Sequence, residues 1–307
     1  MKQLRGKDTV VDASLKEIKR HGTEGFPFAV YLNDFSSFQT DGICWHWHDE
    51  LQITMITEGD FLCQVGSEKV LMQPGEIIFF NSCALHQISP CQKAEGKLYS
   101  FLWSPTFLGG TAETDLYRNC IEPVMKSHMK YAFFGLEHPS HKRLQTRLRR
   151  IINIMPEKER FYELTAYDQL LRVWMEICAY NDSTLQLDEK SLSRYIGLEK
   201  EEEKIKCALG FIQNHYSEKI TLEAIAKAAV TNRSELCRCF RRVLDTTPNE
   251  FLTRYRLDRA LALLEDPELR ISDIAEMTGF CSPSHFGTHF MKYMGCTPLQ
   301  YRKNIMM

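Results

Sequence analysis

The residues with the most to offer chemically lie in Cys44-Trp45-His46-Trp47-His48-Asp49-Glu50-Leu51-Gln52. Side chains alternate between faces along a strand, so His46 and His48 share one face while Trp45 and Trp47 share the other. One of these pairs must face the interior of whatever sheet holds them. Two imidazoles on one face are the start of a metal site, because they can take adjacent coordination positions, with Glu50 as a further oxygen ligand. They serve equally as a polar wall for an organic effector. In that reading His46, His48, Gln52 and His86 donate and accept hydrogen bonds while tryptophans and phenylalanines stack on a sugar or aromatic ring. A third reading leaves the histidines satisfied inside a structural barrel that binds nothing. Cys237 and Cys239 are the closest pairing among eleven cysteines, but on a helix they occupy different faces and make a poor chelating or redox pair.

A chain of 307 residues is long enough for two domains with a helical connector to position these groups. Hydrophobic residues at 44% and charged residues at 25% exclude a disordered chain and a fibre. No apolar run approaches the roughly 20 residues that cross a bilayer, and Met1-Lys2-Gln3-Leu4-Arg5-Gly6 lacks the apolar core of a secretory signal. A cytoplasmic protein with reduced cysteines and no membrane partner is expected. Charge is divided along the chain. From Lys204 to Met307, 15 Lys+Arg face 11 Asp+Glu, a balance of +4, and the remainder carries 23 against 29, or −6. This division fits a C-terminal part that meets a polyanion, and also an ordinary solvated surface.

The first third reads as β-structure. Phe26 to Tyr31, Leu51 to Ile56, Phe61 to Val65, Lys69 to Met72 and Ile77 to Phe80 are short β-branched and aromatic runs. Turns at Glu58-Gly59-Asp60, Gly66-Ser67 and Pro74-Gly75 separate them, which predicts an antiparallel sandwich or barrel. From Ala112 to Asp182 the period becomes helical, with Leu144, Leu148, Ile151, Ile152 and Met155 on one helix. Leu164, Tyr167, Leu170, Leu171, Trp174 and Ile177 mark a second. Arg143, Arg147, Arg149 and Arg150 decorate the first helix without aromatic interleaving, as on a solvated face. Residues 183–203 are polar enough for a linker.

The last hundred residues repeat. A shift of 50 superposes Phe240 on Phe290, Thr247-Pro248 on Thr297-Pro298 and Phe251 on Tyr301. A shift of 49 superposes Leu222-Glu223-Ala224-Ile225-Ala226 on Ile271-Ser272-Asp273-Ile274-Ala275, so one residue has been gained in the turn between two helices. Each copy reads as a short helix buried through Ile-Ala, a turn, a capping residue (Asn232 or Ser282), and a second helix ending near the shared Phe. Gly279 can take the left-handed conformation that ends a helix. The arrangement is a helix-turn-helix, whose second helix enters a major groove. Phe240, Phe286, Phe290, Ile225, Ile274, Ala226 and Ala275 are core by period.

The run Ile271-x-Asp273-Ile274-Ala275-x3-Gly279-Phe280-x-Ser282-x-Ser284-x-Phe286-x3-Phe290-x4-Gly295-x-Thr297-Pro298-x2-Tyr301-Arg302 resembles the signature of the AraC family of transcription regulators. The resemblance covers roughly residues 204–303. It implies seven helices and two helix-turn-helix units joined by a long helix, Pro248 to Glu265, with both recognition helices in adjacent major grooves. Carried over residue by residue, it puts Asn232 at a cap and Ser234, Cys237 and Arg238 at groove-facing positions. Arg238 can donate two hydrogen bonds to guanine, or can contact phosphate or Glu235 instead. Arg233, Arg241 and Arg242 are expected on phosphate or in solvent. In the second copy, with its cap at Ser282, the matching positions are Ser284, Gly287 and Thr288, flanked by His285 and His289. None is Arg or Lys, so the first unit is expected to dominate readout.

The segment around His46 and His48, with Glu58-Gly59, Leu71 to Glu76 and Asn81 to His86, resembles the cupin barrel that often precedes this DNA-binding unit. Metal-binding cupins place a Glu ligand where this chain has Gln52, and a His behind the Pro-Gly turn where it has Ile77-Ile78. No metal and no cofactor are therefore expected. The fold class implied is multidomain α+β: an N-terminal antiparallel β-barrel (cupin/jelly roll), a helical connector, and a C-terminal all-α domain. The corresponding expected ranges are 1–110 for effector binding, 111–200 for the connector and dimerisation, and 201–307 for DNA binding. The resemblance implies a non-enzymatic, sequence-specific regulator controlled by a small-molecule effector, with a carbohydrate as the family-level guess. Its partners would be double-stranded DNA, a second copy of itself and RNA polymerase. Trp45, Trp47, His46, His48, Glu50, Gln52 and His86 would line the effector site. The competing class is a metal-dependent cupin enzyme with an appended DNA-binding module.

Overall fold

The computed structural model describes residues 11–12, 15–37, 42–92, 95–184 and 189–306. The hexapeptide Met1–Gly6 and residues 185–188 of the expected linker lie outside the described residues. The chain divides into two compact units, Met1–Glu199 and Lys200–Met307.

The first unit holds two antiparallel sheets. Its strands are β1 (Phe28–Asp34), β2 (Ile43–His46), β3 (Leu51–Glu58), β4 (Phe61–Val65), β5 (Glu68–Met72), β6 (Ile77–Phe80), β7 (His86–Pro90), β8 (Lys97–Trp103) and β9 (Tyr131–Phe134). The five-stranded sheet runs β1-β8-β3-β6-β9 and the four-stranded sheet β2-β7-β4-β5. Short helices α1 (Pro105–Gly109) and α2 (Glu122–Met125) precede the long α3 (His141–Glu157) and α4 (Tyr162–Thr184).

Strand alternation sorts the core into two layers. Leu51, Ile53, Met55, Ile77 and Phe79 pack in one cluster with Leu144, Leu148 and Ile151 of α3 and with Leu170, Val173, Trp174 and Ile177 of α4. Ile56, Ile78 and Phe80 pack in the other, with Phe61, Cys63, Val65 and Ile88. The helical segment expected as a connector therefore lies against the five-stranded sheet and shares its core. β9 lies beyond the expected boundary at residue 110 yet belongs to this sheet, pairing Ile77 with Phe134 and Phe80 with Tyr131. Arg143 is bound in bidentate fashion by Glu176 of α4, at 2.6 and 2.8 Å. Leu164 is 67% exposed, so the buried stripe of α4 starts at Ala166.

The polar stretch expected as a linker is helical from Glu189 onward, in the 27-residue α5 (Glu189–His215). Its Lys and Glu residues are good helix formers, and polarity alone does not mark a loop. The second unit continues with α6 (Leu222–Ala228), α7 (Arg233–Leu244), α8 (Pro248–Leu263), α9 (Ile271–Met277), α10 (Pro283–Met294) and α11 (Pro298–Met306). The repeat has a structural explanation. Thr247 caps α8 in a reciprocal box with Glu250, and Thr297 makes the same exchange with Gln300. Phe251 packs edge-on against Phe240 at 6.1 Å, and Tyr301 against Phe290 at 5.7 Å. The turn between helices runs from 229 to 232 in the first copy and from 278 to 282 in the second, one residue longer.

Both turns need a left-handed residue, and the two copies supply it differently. Gly279 has φ +78°, and a Cβ there would sit 2.3 Å from the Tyr216 carbonyl oxygen. In the first copy Val230, with φ 50°, takes that conformation while 89% exposed. A residue with a Cβ pays about 1–2 kcal/mol for it. Gly279→Ala is expected to lower the second unit's stability by about 2 kcal/mol or more, because strain and a backbone clash add. Val230→Gly is expected to raise it by up to about 1 kcal/mol, the relief of strain exceeding the entropy cost of glycine. Urea unfolding of the two variants checks both signs.

Candidate ligand site and nucleic-acid interface

β2 and β7 are neighbours, and their register sets His46 opposite His86. Their ring centroids are 4.3 Å apart, and His48 completes a triangle at 5.7 Å from His46 and 5.2 Å from His86. The three are 4%, 1% and 0% exposed in the order His46, His48, His86. Each ring places Nδ1 on a backbone carbonyl: His46 on Cys44 at 2.9 Å, His48 on Glu50 at 3.0 Å, His86 on Ala84 at 2.9 Å. A carbonyl only accepts, so each Nδ1 carries a proton, and neutral His46 and His86 rings then keep their lone pair on Nε2, whereas His48 Nε2 lies 2.9 Å from the Gln52 Oε1 acceptor and needs its own proton for that contact. The ligand atoms of the three histidines lie within 4.8 Å of one another. These residues are thus able to hold a transition-metal ion.

A polar strip leads away from the triangle on the inward face of the large sheet. Gln52 bridges His48 Nε2 and Thr54 Oγ1, at 2.9 Å each. Thr54 lies opposite Ser100, with hydroxyls 3.5 Å apart, and Asn33 Nδ2 reaches Ser100 Oγ at 3.4 Å. All four of these side chains are buried. Trp45 and Trp47 are half-buried and alternate to the opposite face. Lys16 Nζ lies 5.2 Å from the Trp47 ring. The structure therefore separates the two tryptophans from the histidines they were grouped with, for the reason that a strand alternates. Glu50 contributes its carbonyl to His48 and is partly buried, and burial pushes its carboxyl up.

Sequence reasoning missed Glu17 and His21. Both are buried, and His21 Nε2 lies 3.3 Å from Glu17 Oε2 while its Nδ1 meets Tyr31 Oη at 3.1 Å. The His21 ring is 6.2 Å from that of His48. Their segment runs alongside Trp47, whose carbonyl accepts from Glu17 N–H and whose N–H donates to Leu15. Burial is the largest influence and opposes the Glu17 charge, but the hydrogen bond with His21 together with the charge interactions of His21, His46 and His48 outweighs it, and the carboxyl falls below its usual range. Only the i, i+4 spacing of Glu17 and His21 hinted at a pair.

In the second unit, α7 buries Leu236, Cys239, Phe240, Val243 and Leu244. Arg233, Ser234, Arg238, Arg241 and Arg242 are exposed, and Cys237 is half-buried. Asn232 caps the helix by accepting from Glu235 N–H at 2.9 Å. Arg238 pairs with Glu235, and Arg242, expected on phosphate or in solvent, pairs with Glu201 of α5. Lys204 of α5 reaches Glu235 at 3.4 Å. In α10, Ser282 caps by accepting from His285 N–H at 3.2 Å. Ser284 and Thr288 are exposed, and a Cβ on Gly287 would meet nothing within 4 Å. His285 and His289 hold their Nε2 atoms 3.0 Å apart. Lys292, one turn beyond Thr288, is exposed and went unremarked because it lies outside the matched positions.

Two family models match the chain: an AraC-like ligand binding domain over residues 35–173 and a helix-turn-helix domain over residues 225–304. The chain is 32% identical over 298 residues to YdeC of Bacillus subtilis strain 168, an uncharacterized HTH-type transcriptional regulator, covering 97% of this chain and 99% of that one. It is 26% identical to the melibiose operon regulatory protein of Escherichia coli K12, over 84% of this chain and 83% of that one. Among solved structures, ToxT from Vibrio cholerae aligns over 90% of this chain and 97% of its own, at 15% identity and a TM-score of 0.40.

The buried triangle has a pH consequence. Burial, then the neighbouring His48, lowers His46 from an ordinary 6.5 to about 4. Folding therefore excludes a proton that the unfolded chain takes up below pH 6.5. Stability contributed by the neutral ring is complete above pH 6.5 and is lost as pH falls toward 4. Each pH unit inside that window costs about 1.4 kcal/mol per such histidine. The thermal midpoint of the first unit is expected to fall steadily from neutral to acid pH, and His46→Gln to flatten part of the slope. Identical slopes in both proteins would show that His46 does not titrate in this way.

Proposed function

The chain belongs to the AraC family of transcription regulators, and from that premise we propose which of its residues meet effector and DNA. It is a DNA-binding regulator with a small-molecule effector domain, and its relatives are regulators rather than enzymes. The observation that carries the reading is the duplicated helix-turn-helix, in which each second helix turns a polar face outward. α7, through Ser234, Cys237 and Arg238, is the principal reader of the operator, with Arg233 and Arg241 on phosphate. α10, through Ser284, Gly287 and Thr288 with His285 alongside, mainly positions the second half of the contact. The absence of a Cβ on Gly287, which no internal neighbour demands, lets the DNA backbone come close.

In the first unit, the strip from His46, His48 and His86 through Gln52, Thr54, Ser100 and Asn33 is the effector site. Its succession of imidazole, amide and hydroxyl groups suits a polyhydroxylated ligand, and a carbohydrate is the effector class we favour. The melibiose operon regulator among the relatives supports the same class. A specific observation favours a second reading, in which a divalent transition metal forms part of the site: His46, His48 and His86 bring one ligand atom each within 4.8 Å of the others, and every ring is oriented by a carbonyl on Nδ1. His46, His48 and His86 would hold it, and it would supply a Lewis-acidic anchor for an oxygen ligand. Phe161, Leu164 and Met175, exposed at one end and along α4, support a homodimer, which sedimentation velocity tests. RNA polymerase is a further partner in this reading, and the cytoplasm its place of action. No described helix is long and apolar enough to cross a membrane.

Two experiments test this. Arg238→Ala is expected to flatten base preference at one operator position by about 1–3 kcal/mol in a binding-site selection assay, and an unchanged preference removes the assignment. A thermal-shift screen against sugars and divalent metals, with elemental analysis of the purified protein, separates the effector classes. A sugar at 100 times its dissociation constant should add about 2.7 kcal/mol, and Gln52→Ala should abolish the gain. Stoichiometric metal that is lost with His46→Gln or His86→Gln would establish the second reading instead.

A further inference from the structure

Glu235 occupies the third position of α7, with its backbone N–H on the Asn232 cap and its side chain 20% exposed. One carboxylate there faces two cations. Oε2 pairs with Arg238, on the same helix and 66% exposed, while Oε1 lies 3.4 Å from Lys204 Nζ, which comes from α5. Cys239 Sγ is 3.7 Å from Oε1. Three residues before Lys204, Glu201 of α5 pairs with Arg242 of α7. The acidic pair Glu201 and Glu235 with Cys239 is therefore already answered by Arg242, Lys204 and Arg238, and no cation from solution is needed.

An arginine tied through Nη2 to a carboxylate of its own helix has fewer donors to spare and is held back from the groove, so that pair competes with two-point contact to a base. The strength of Glu235's hold on Arg238 falls as another positive charge neutralises the same carboxylate. Lys204 does this from a different helix, so its distance from Glu235 sets how freely Arg238 swings toward DNA. We propose that Lys204 and Glu235 act as positioning residues that govern the availability of Arg238. Lys204 and Arg238 share the Glu235 carboxylate in this structure, so Lys204 weakens the hold that DNA must break to take the guanidinium, and Lys204 withdrawn leaves Arg238 tied more tightly to its own helix. Glu201 and Arg242 anchor α5 to α7 and hold Lys204 in register. The inference rests on Arg238 as a reader, and its test is chosen to fail separately from that assignment.

The experiment measures operator binding by fluorescence anisotropy over a salt series. It uses the full chain as wild type, Lys204→Met, Lys204→Arg, Glu235→Gln and the Lys204→Met/Glu235→Gln double variant. Lys204→Met is expected to weaken binding three- to tenfold without changing the salt slope, and Lys204→Arg to restore it. Glu235→Gln removes the competing charge while keeping its shape, so it is expected to bind at least as tightly as wild type and to make Lys204→Met silent. A Lys204→Met loss that persists in full in the Glu235→Gln background overturns the proposal. So does a salt slope reduced by about one, which is the signature of a lost phosphate contact. Lys204→Met and Glu235→Gln, each placed in an Arg238→Ala chain, should show no further effect on base preference. Arg238→Ala with unaltered preference, alongside intact Lys204 and Glu235 coupling, sinks the reader assignment and leaves the coupling standing.

Discussion

A strand buried on both faces must answer every polar side chain it carries with another polar group, and β3 is such a strand. Its Leu51, Ile53 and Met55 point toward α3 and α4, where only apolar surface is available. Gln52 and Thr54 must then point between the sheets, and they find His48 and Ser100 there. The register of β3 against β8 and β6 fixes both sets together, because a slip by one residue would send the polar pair into the helix-packed layer. The functional strip is thus specified by the same alternation that specifies the core. A site built this way is rigid, since moving one member leaves another unsatisfied in a low-dielectric interior.

The second unit solves a different problem with a repeated solution. Two helices of seven residues, α6 and α9, are too short to be stable alone. Each is held by the apolar face of the recognition helix that follows, which in turn packs against a capped helix after it. Thr-Pro supplies the cap and the first helical residue, and the aromatic three residues after the proline packs on the shared Phe. Because Leu236, Phe240, Val243 and Leu244 of α7 and Phe286 and Phe290 of α10 are committed inward, the outward face is left mainly to polar residues, with Met291 and Tyr293 of α10 as apolar exceptions. The outward polarity that DNA needs and the inward packing that the short helices need are two faces of one pattern.

Some of this was readable in the residues and some was not. β4 and β6 were legible to the residue because their apolar runs met turn residues at both ends, Gly59-Asp60 and Gly66 for β4 and Pro74-Gly75 and Asn81 for β6. β9 was not, being four residues inside a stretch whose neighbours have helical period, and its strand character comes from pairing with β6. His86 was grouped in the sequence with His46 and His48, and the three rings lie together in the structure. The distance of His86 along the chain from the Pro-Gly turn counted against a metal site, yet the β2–β7 register brings it directly opposite His46. Glu17 and His21 could not have been placed, since a bridge between Lys16 and Trp47 carries no periodic signature. Arg242 was read as a surface charge because its partner Glu201 lies 41 positions earlier, in a stretch that polarity had marked as linker.

The two copies have also diverged in what they present. α7 carries Arg233, Arg238, Arg241 and Arg242 within ten residues, and two of those four cations are tied to carboxylates in the free protein. α10 offers only Lys292 and two histidines that face each other. A guanidinium discriminates between bases, whereas hydroxyls and a bare glycine surface accommodate many. Discrimination is useful in a regulator only if it can be withheld, and withholding requires an internal competitor for the same donor groups. Glu235 is that competitor in the first copy, and the corresponding position of the second is His285, which has no carboxylate to offer. The copy that reads is thus also the copy that carries the means of restraint, which is the distribution expected if control acts on the reader itself rather than on overall affinity for the duplex.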